Sequence, residues 1–420
     1  MSAKPLRVVE LFAGVGGFRI ALEDYPKKKS SKYEVVWSNQ YEPRTKKQHA
    51  NIVYKNRWPN AVHSEEDIEK VVSENFDTIP DHDLLVGGFP CQDYSVANRT
   101  HNRGVTGEKG KLWWSIVSLI KKKGRKAPKF LLLENVDHLL HSPKTQKGRD
   151  FAVILSSLND LGYAVEWRVV NAAQYGFPQR RRRVYILAYR RNTTLYKLLN
   201  KTKPTEWLNK KGIMAKAFPV TARSDIATGK LLDSVEDNME LFAFDSSPFK
   251  NAGICINGKF SSVKVIPDYE GNYQTLGDVL LPISEIPESY FILKKDLAKW
   301  KFKRSAKTIE RISKRTGKPY LFREGNVPFP DSLDKASRTI ITKEGGSYVS
   351  REKHIVCQNG RYRRLHPIEL ERLNGFPDDF TECEGITNNQ RAFFMGNALV
   401  IGIVRKIAKQ LTKEILNSNK

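Results

Sequence analysis

The 420-residue chain has little of what staples small or secreted proteins, with only 4 cysteines. Cys91, Cys255, Cys357 and Cys383 stand far apart and form no C-x-x-C pair. That excludes a zinc-finger or disulfide framework, predicts no metal site, and fits a reducing cytoplasm. No apolar run reaches the roughly 18 residues of a membrane-spanning helix. The opening stretch, MSAKPLRVVELFAG, runs straight into a glycine-rich turn, unlike a secretion signal. Internal repeats and long low-complexity segments are also missing. Negative charge is in short supply: 71 Lys+Arg face 46 Asp+Glu, for a net charge of +25. An excess of that size points to a polyanionic partner, because each neutralised phosphate releases counterions. A basic but merely solvated surface is the alternative.

What is present is 40% hydrophobic and 10% aromatic residues, enough for real cores, in a chain long enough for two domains. Over the first 190 residues, LRVVELF, YEVVWSN, HDLLVGGF, KFLLLENV, VEWRVVNA and RRVYILAYR read as strands. Helical patterns such as GKLWWSIVSLIKKK and RDFAVILSSLNDLGY lie between them. This alternation predicts an α/β fold, a mainly parallel sheet with helices on both faces, binding ligands at the carboxyl ends of its strands. After Arg190 the rhythm breaks into short strands and Gly/Pro/Ser/Asp turns, which predicts a smaller, irregular second domain. Within it, Lys294–Lys318 carries eleven Lys/Arg against two acids, with Trp300 and Phe302 interleaved. The stretch reads as a phosphate-tracking surface, against the plainer possibility of a solvated amphipathic helix. Regular patterning returns at LHPIELERLNGFP and at NNQRAFFMGNALVIGIVRKIAKQLTKEIL, which predicts a terminal helix.

Two regions carry chemistry. VVELFAGVGG is a strand entering a glycine turn, where Gly14, Gly16 and Gly17 permit close backbone approach to a ligand. Its G-x-G-G spacing differs from the dinucleotide fingerprint, which speaks against an oxidoreductase. WSNQYEP and Asp67 in EEDIEK fall at later strand ends, together outlining a pocket for an adenosine-containing cofactor. The second region is GGFPCQDYSVA. A lone cysteine is by default a small buried hydrophobe. A nucleophilic thiolate needs positive surroundings or a proton acceptor, and QRRRR at Gln179–Arg183 begins another strand of the same sheet. Glu134 and Asn135 end the apolar strand LLLENV, where a carboxylate is costly unless it has a task. Cysteine, carboxylate and arginines at one sheet edge suit covalent attack on a polarised ring followed by group transfer.

ELFAGVGGFRIALE, EDI, GGFPCQDYS, LLLENVDHLL, QYGFPQRRRRVYI, RRLHPIELERLNGFP and QRAFFMGNALVIGIV, in this order, resemble the DNA (cytosine-5)-methyltransferases of bacterial type II restriction–modification systems. About two thirds of the chain is covered, all but the middle. The resemblance implies the Rossmann-like fold of S-adenosylmethionine-dependent methyltransferases. Its catalytic and cofactor-binding domain would span residues 1–190 plus 388–420. A mixed target-recognition domain would span 191–387, including LHPIELERLNGFP. It implies Cys91 as the nucleophile on C6 of a cytosine flipped from duplex DNA, and Glu134 on N3 and the amino group of that base. Arg183 would reach the cytosine O2, and Arg181 would make a phosphate or structural contact. Phe12, Gly14, Val15 and Gly17 would cradle S-adenosylmethionine, with Tyr41, Asp67 and Ile68 at the adenine. Pro90, Leu112 and Asn397 would complete that site, and Gln92 and Ser95 would touch DNA. Where many members place a ribose-binding glutamate this chain has Gln40, leaving Gln40 and Glu42 as alternatives, and Glu10 stands where aspartate is common. A sibling branch methylates tRNA with the same motifs but lacks a long middle domain, so the implied substrate is duplex DNA. One chain per site suffices, and a cognate restriction nuclease would be its partner in the system. A catalytically silent DNA-binding relative would be expected to lack Cys91 or Glu134, and both are present.

Overall fold

The apolar runs become the middle of a ten-stranded sheet. The structure, a computed structural model, describes residues 4–26, 31–43, 45–89, 111–242, 246–313 and 316–417. These form two compact units: Met1–Gly176, Arg181–Asn272 and Leu399–Lys420 in the first, Phe177–Arg180 and Tyr273–Ala398 in the second.

In the first unit the strands are β1 (Leu6–Leu11), β2 (Tyr33–Asn39), β3 (His63–Ser64), β4 (Leu84–Gly88), β5 (Phe130–Val136), β6 (Tyr163–Asn171) and β7 (Arg182–Arg190). The order begins β3-β2-β1-β4-β5-β7-β6, and the pairings from β3 to β5 are parallel. Val8, Val9, Leu84 to Val86 and Leu131 to Leu133 are buried, as continuous apolar runs must be when helices cover both faces. The helices are α1 (Gly17–Leu22), α2 (His49–Arg57), α3 (Ile68–Glu74), α4 (Lys111–Lys123) and α5 (Arg149–Asp160). In α4, Trp113, Ile116, Val117 and Ile120 recur at helical spacing and are buried, leaving Lys121 and Lys122 exposed. No helix among the described residues is long and apolar enough to cross a membrane.

The direction of β7 matters most for the site. It is inserted antiparallel between β5 and β6, so it begins where β5 ends. Arg183 stands opposite Val136, and Tyr185 opposite Glu134. The start of one strand thereby joins the carboxyl ends of β1, β2, β4 and β5 along a single edge.

The compact units divide the chain differently from the expected boundary at residue 191. Residues 191–272 pack with the first unit, where β9 (Ala227–Lys230), β10 (Ala252–Ile256) and β11 (Lys259–Val263) extend the sheet beyond β6. β8 (Val220–Ala222) pairs separately with β12 (Val265–Pro267). β10 covers the otherwise open edge of β6, and Asn257 and Gly258, at φ 51° and 70°, make the left-handed hairpin turn to β11.

The second unit holds two ribbons, β13 (Lys307–Ile312) with β14 (Pro319–Glu324) and β15 (Ile355–Gln358) with β16 (Arg361–Arg364). LHPIELERLNGFP is the helix Pro367–Asn374, capped by His366 and ended by Gly375 at φ 76°. Its Glu369 is fully buried against Arg363, at 2.6 Å. The terminal pattern, expected as one helix, forms two, Asn388–Asn397 and Ile401–Asn417, because the chain turns extended at Ala398.

Candidate active site

At the end of β1 the chain turns sharply. Phe12 and Gly14 both lie at φ 55° and Gly16 at φ 86°. A side chain on Gly16 would collide with the Trp58 ring, its Cβ 2.3 Å from the nearest ring atom, so glycine is required there. A Cβ on Gly14 would meet nothing within 4 Å. Gly14 thus borders open space, the property of a cradle that a methyl would fill. Val15 and Gly17 are buried behind it, Gly17 opening α1.

The cradle is tied to the end of β2. The Gly14 amide donates to the Gln40 side-chain oxygen at 2.8 Å, and the Ala13 amide to the Asn39 carbonyl at 3.0 Å. Gln40, one of the two alternatives for the ribose, is therefore engaged by the glycine turn. Burial pushes the half-buried Glu42 carboxyl above its usual range. Tyr41 is exposed beside them, at 39%. Asp67 caps α3, accepting from the Glu69 amide at 2.9 Å, and Ile68 is buried under it. Leu112 packs against the core at the start of α4. The structure thus brings Phe12, Gly14, Gln40 and Asp67 to the ends of β1, β2 and β3. Asn397 ends a helix of the second unit.

Behind the cradle stands a buried polar group. Glu10 accepts from the Tyr54 hydroxyl at 3.0 Å and the Arg19 amide at 3.3 Å. Burial raises its pKa to about 7, against the lowering influence of Arg19. Arg19 pairs with Glu23 at 3.1 Å and lies over the Trp58 ring.

Along the same edge, Glu134 lies two residues before the end of β5 at Val136, and Arg183 is the second residue of β7. Their side chains form an ion pair, Arg183 Nε to Glu134 Oε1 at 3.0 Å, each mostly buried. The bare Gly88 opposite leaves room for the other carboxylate oxygen, 3.3 Å from where its Cβ would stand. A charge-assisted bond at this distance fixes the orientation of the carboxylate. Burial, and then the charge of Glu134, raise the pKa of the neighbouring Tyr185, keeping its hydroxyl protonated. Arg182 pairs outward with Asp137 at 2.9 Å. Arg181 is buried, its carbonyl accepting from the Ala172 amide, which places it inside the unit.

Asn135, noted in the sequence only for its position, has a definite role. It is buried, donates to the Phe89 carbonyl at 3.1 Å, and accepts from the Val136 amide at 2.8 Å. It thereby pins Phe89, the first residue of FPCQ. Its place directly after Glu134 was the available signal. Pro90, Cys91, Gln92 and Ser95 lie outside the described residues. By contrast Cys255 is an ordinary core thiol, pushed up to about 12 by burial.

A glycine cradle at the first strand end and a carboxylate–arginine pair across β5 and β7, on a sheet of this order, define a Rossmann-like methyltransferase. The family of C-5 cytosine-specific DNA methylases matches residues 6–413, and the chain belongs to it: it is a DNA (cytosine-5)-methyltransferase. The type II methyltransferase M.Sau3AI of Staphylococcus aureus is 42% identical over 412 residues, 97% of this chain and 96% of that one. M.HhaI, a type II methyltransferase of Haemophilus parahaemolyticus, is 28% identical over 403 residues, 96% and 93% of the two chains. Among solved structures, the Entamoeba histolytica methyltransferase EhMeth shares the fold with a TM-score of 0.59 at 15% identity, over 100% of both chains. The S. pombe Dnmt2 methyltransferase does so at 0.58 and 17%, over 99% of this chain and 100% of that one.

Proposed function

We propose that the protein methylates C5 of a cytosine within a specific duplex DNA sequence, using S-adenosylmethionine as donor, as the modification enzyme of a type II restriction–modification system in a bacterial cytoplasm. The observation that carries this reading is the Arg183–Glu134 ion pair at the edge where FPCQ departs from β4. A flipped cytosine would place N3 and its amino group against Glu134 and its O2 against Arg183. The Cys91 thiolate would bond to C6. Electron density moving toward N3, held by Glu134, would leave C5 nucleophilic. S-adenosylmethionine would supply the methyl group to C5 there. Loss of the C5 proton to water, with breaking of the C6–sulfur bond, would then restore the ring and the free thiolate. The open space at Gly14, with Phe12 in the same turn and Tyr41, Asp67 and Ile68 following the ends of β2 and β3, suits the adenosine and methionine of the donor. The target-recognition role belongs to the chain beyond residue 190, most of it in the second unit. A single chain would act at each site, and a nuclease cutting the same sequence would be its counterpart.

Incubation with labelled S-adenosylmethionine and duplex DNA tests the reading. Label should enter DNA with the wild type and be lost with Cys91→Ser, while DNA binding is retained. A duplex carrying 5-fluorocytosine at the target should trap an adduct that survives denaturation, because its C5 has no proton to lose. Retained turnover in Cys91→Ser, or no trapped adduct, would refute covalent catalysis.

A further inference from the structure

The second unit carries one element that packing does not account for. β13 and β14 form a two-stranded ribbon, running from Lys307 opposite Glu324 to Ile312 opposite Pro319, and they join no other described strand. Such a ribbon is marginal in water by itself, and its bare edges invite pairing. This one is fixed at its base. Arg351 donates to the carbonyl of Ser305, just before β13, at 3.3 Å, and to that of Gly325, just after β14. It also pairs with Glu324 at 3.6 Å. Behind it, the Val327 amide donates to the Arg304 carbonyl, and the fully buried Arg304 pairs with Asp331 at 2.7 Å.

The two faces of the ribbon differ. Directly opposed residues share a face and successive residues alternate. On one face Arg311 lies 3.7 Å over the Phe322 ring and Lys307 is 4.6 Å from the Phe302 ring centre, so these groups are partly occupied with each other. The other face bears Thr308, Glu310, Ile312, Pro319, Leu321 and Arg323, all exposed, with Ile312 at 71% and Leu321 at 63%.

We propose that this second face enters the major groove of duplex DNA and reads base edges. The inference rests on the reading above that the substrate is duplex DNA, and it names the element that selects the sequence. The major groove admits a two-stranded ribbon. The exposed groups match what base edges offer: a guanidinium for the guanine acceptors, a carboxylate for the cytosine amino group, a hydroxyl for either, and apolar surface for the thymine methyl. Beside the ribbon, the helix Leu297–Arg304 exposes Lys299, Lys301 and Lys303, placed to meet backbone phosphates. These lysines and the net charge of +25 favour a polyanion over a second, equally basic copy.

The test uses the full-length protein. The wild-type site is first defined by bisulfite sequencing of plasmid from expressing cells. Binding to that duplex and to each single-base-pair change is then measured for the wild type, Arg323→Ala, the double variant Ile312→Ala/Leu321→Ala, and Lys301→Ala/Lys303→Ala. Binding of S-adenosylhomocysteine reports the integrity of the first unit, and circular dichroism the fold. The ribbon-face variants should lose about 10- to 100-fold of discrimination at one or more positions, with S-adenosylhomocysteine binding unchanged. The lysine variant should bind every duplex more weakly by the same factor. Unchanged discrimination in both ribbon-face variants overturns the proposal, as does a change confined to oligomeric state. A wild type that leaves no methylated site in the plasmid defeats the functional reading; its duplex is then selected by binding from a random-sequence pool, and the same variants judge the ribbon by binding alone.

Discussion

Glu10 shows how a single buried acid can bear on a cofactor site without touching a ligand. It is the penultimate residue of β1, just below the glycine turn, held by Tyr54 and by the Arg19 amide of α1. Tyr54 stacks on His63 at 4.3 Å, and His63 sits between Ser38 and Asn51. The polar group therefore links β1, α1, β2 and α2 in the interior. Burial raises the Glu10 pKa from 4.5 to about 7. The folded protein keeps that proton to about pH 7 while the unfolded chain releases it near 4.5, so folding takes up a proton across that interval. Stability should fall as pH rises from about 4.5 to 7, by up to about 3 kcal/mol, and level off above. Glu10→Gln should remove this component. Thermal melts of both proteins between pH 5 and 8 check it; parallel pH profiles would show that Glu10 does not titrate in this range.

Among the elements, the glycine turn after β1 separates two demands that look alike in G-x-G-G. Gly16→Ala adds a left-handed strain of about 1–2 kcal/mol to a collision with Trp58 costing about 1–3 kcal/mol, and should lower the melting temperature clearly. Gly14→Ala bears the strain alone and should fold, but its methyl should weaken S-adenosylhomocysteine binding at least about tenfold, roughly the cost of one misplaced methyl in a close contact. Calorimetric titration of both variants decides; wild-type affinity in Gly14→Ala would mean the open space is not the cradle. The turn was legible because its strand, glycines and helix are local. So were the six main strands and the helices α4 and α5, whose apolar periods are long and regular. The antiparallel entry of β7 was not, because direction depends on which neighbour a strand finds, and it is this that puts Arg183 beside Glu134. Asn-Gly pairs at 257–258 and 359–360 mark the hairpins β10–β11 and β15–β16, a signal present in a stretch read only as irregular. Gln40 was singled out as a ribose candidate, but its bond to Gly14 was not legible, because it spans 26 residues and no local pattern encodes it.

For the molecule as a whole, the excess of 71 Lys+Arg over 46 Asp+Glu sets how it meets DNA. Charge of this kind acts on every duplex alike and carries no sequence information, whereas the groups on the exposed ribbon face would discriminate among bases. The two contributions should separate with salt. If six to ten phosphates are neutralised, affinity should fall about 10³- to 10⁵-fold between 50 and 200 mM salt, for cognate and unrelated duplexes together. The ratio of the two affinities should change far less, because contacts to base edges release few counterions. Anisotropy titrations of both duplexes over that range measure slope and ratio at once. Removing Lys301 and Lys303 should make both slopes shallower by about one to two and leave the ratio in place. Arg323→Ala should do the reverse, collapsing the ratio while changing the slope little. A slope near zero in the wild type would mean that the basic surface is merely solvated and that recognition rests on uncharged contacts. That outcome would remove the electrostatic argument for a polyanionic substrate while leaving the ion pair of Glu134 and Arg183 untouched.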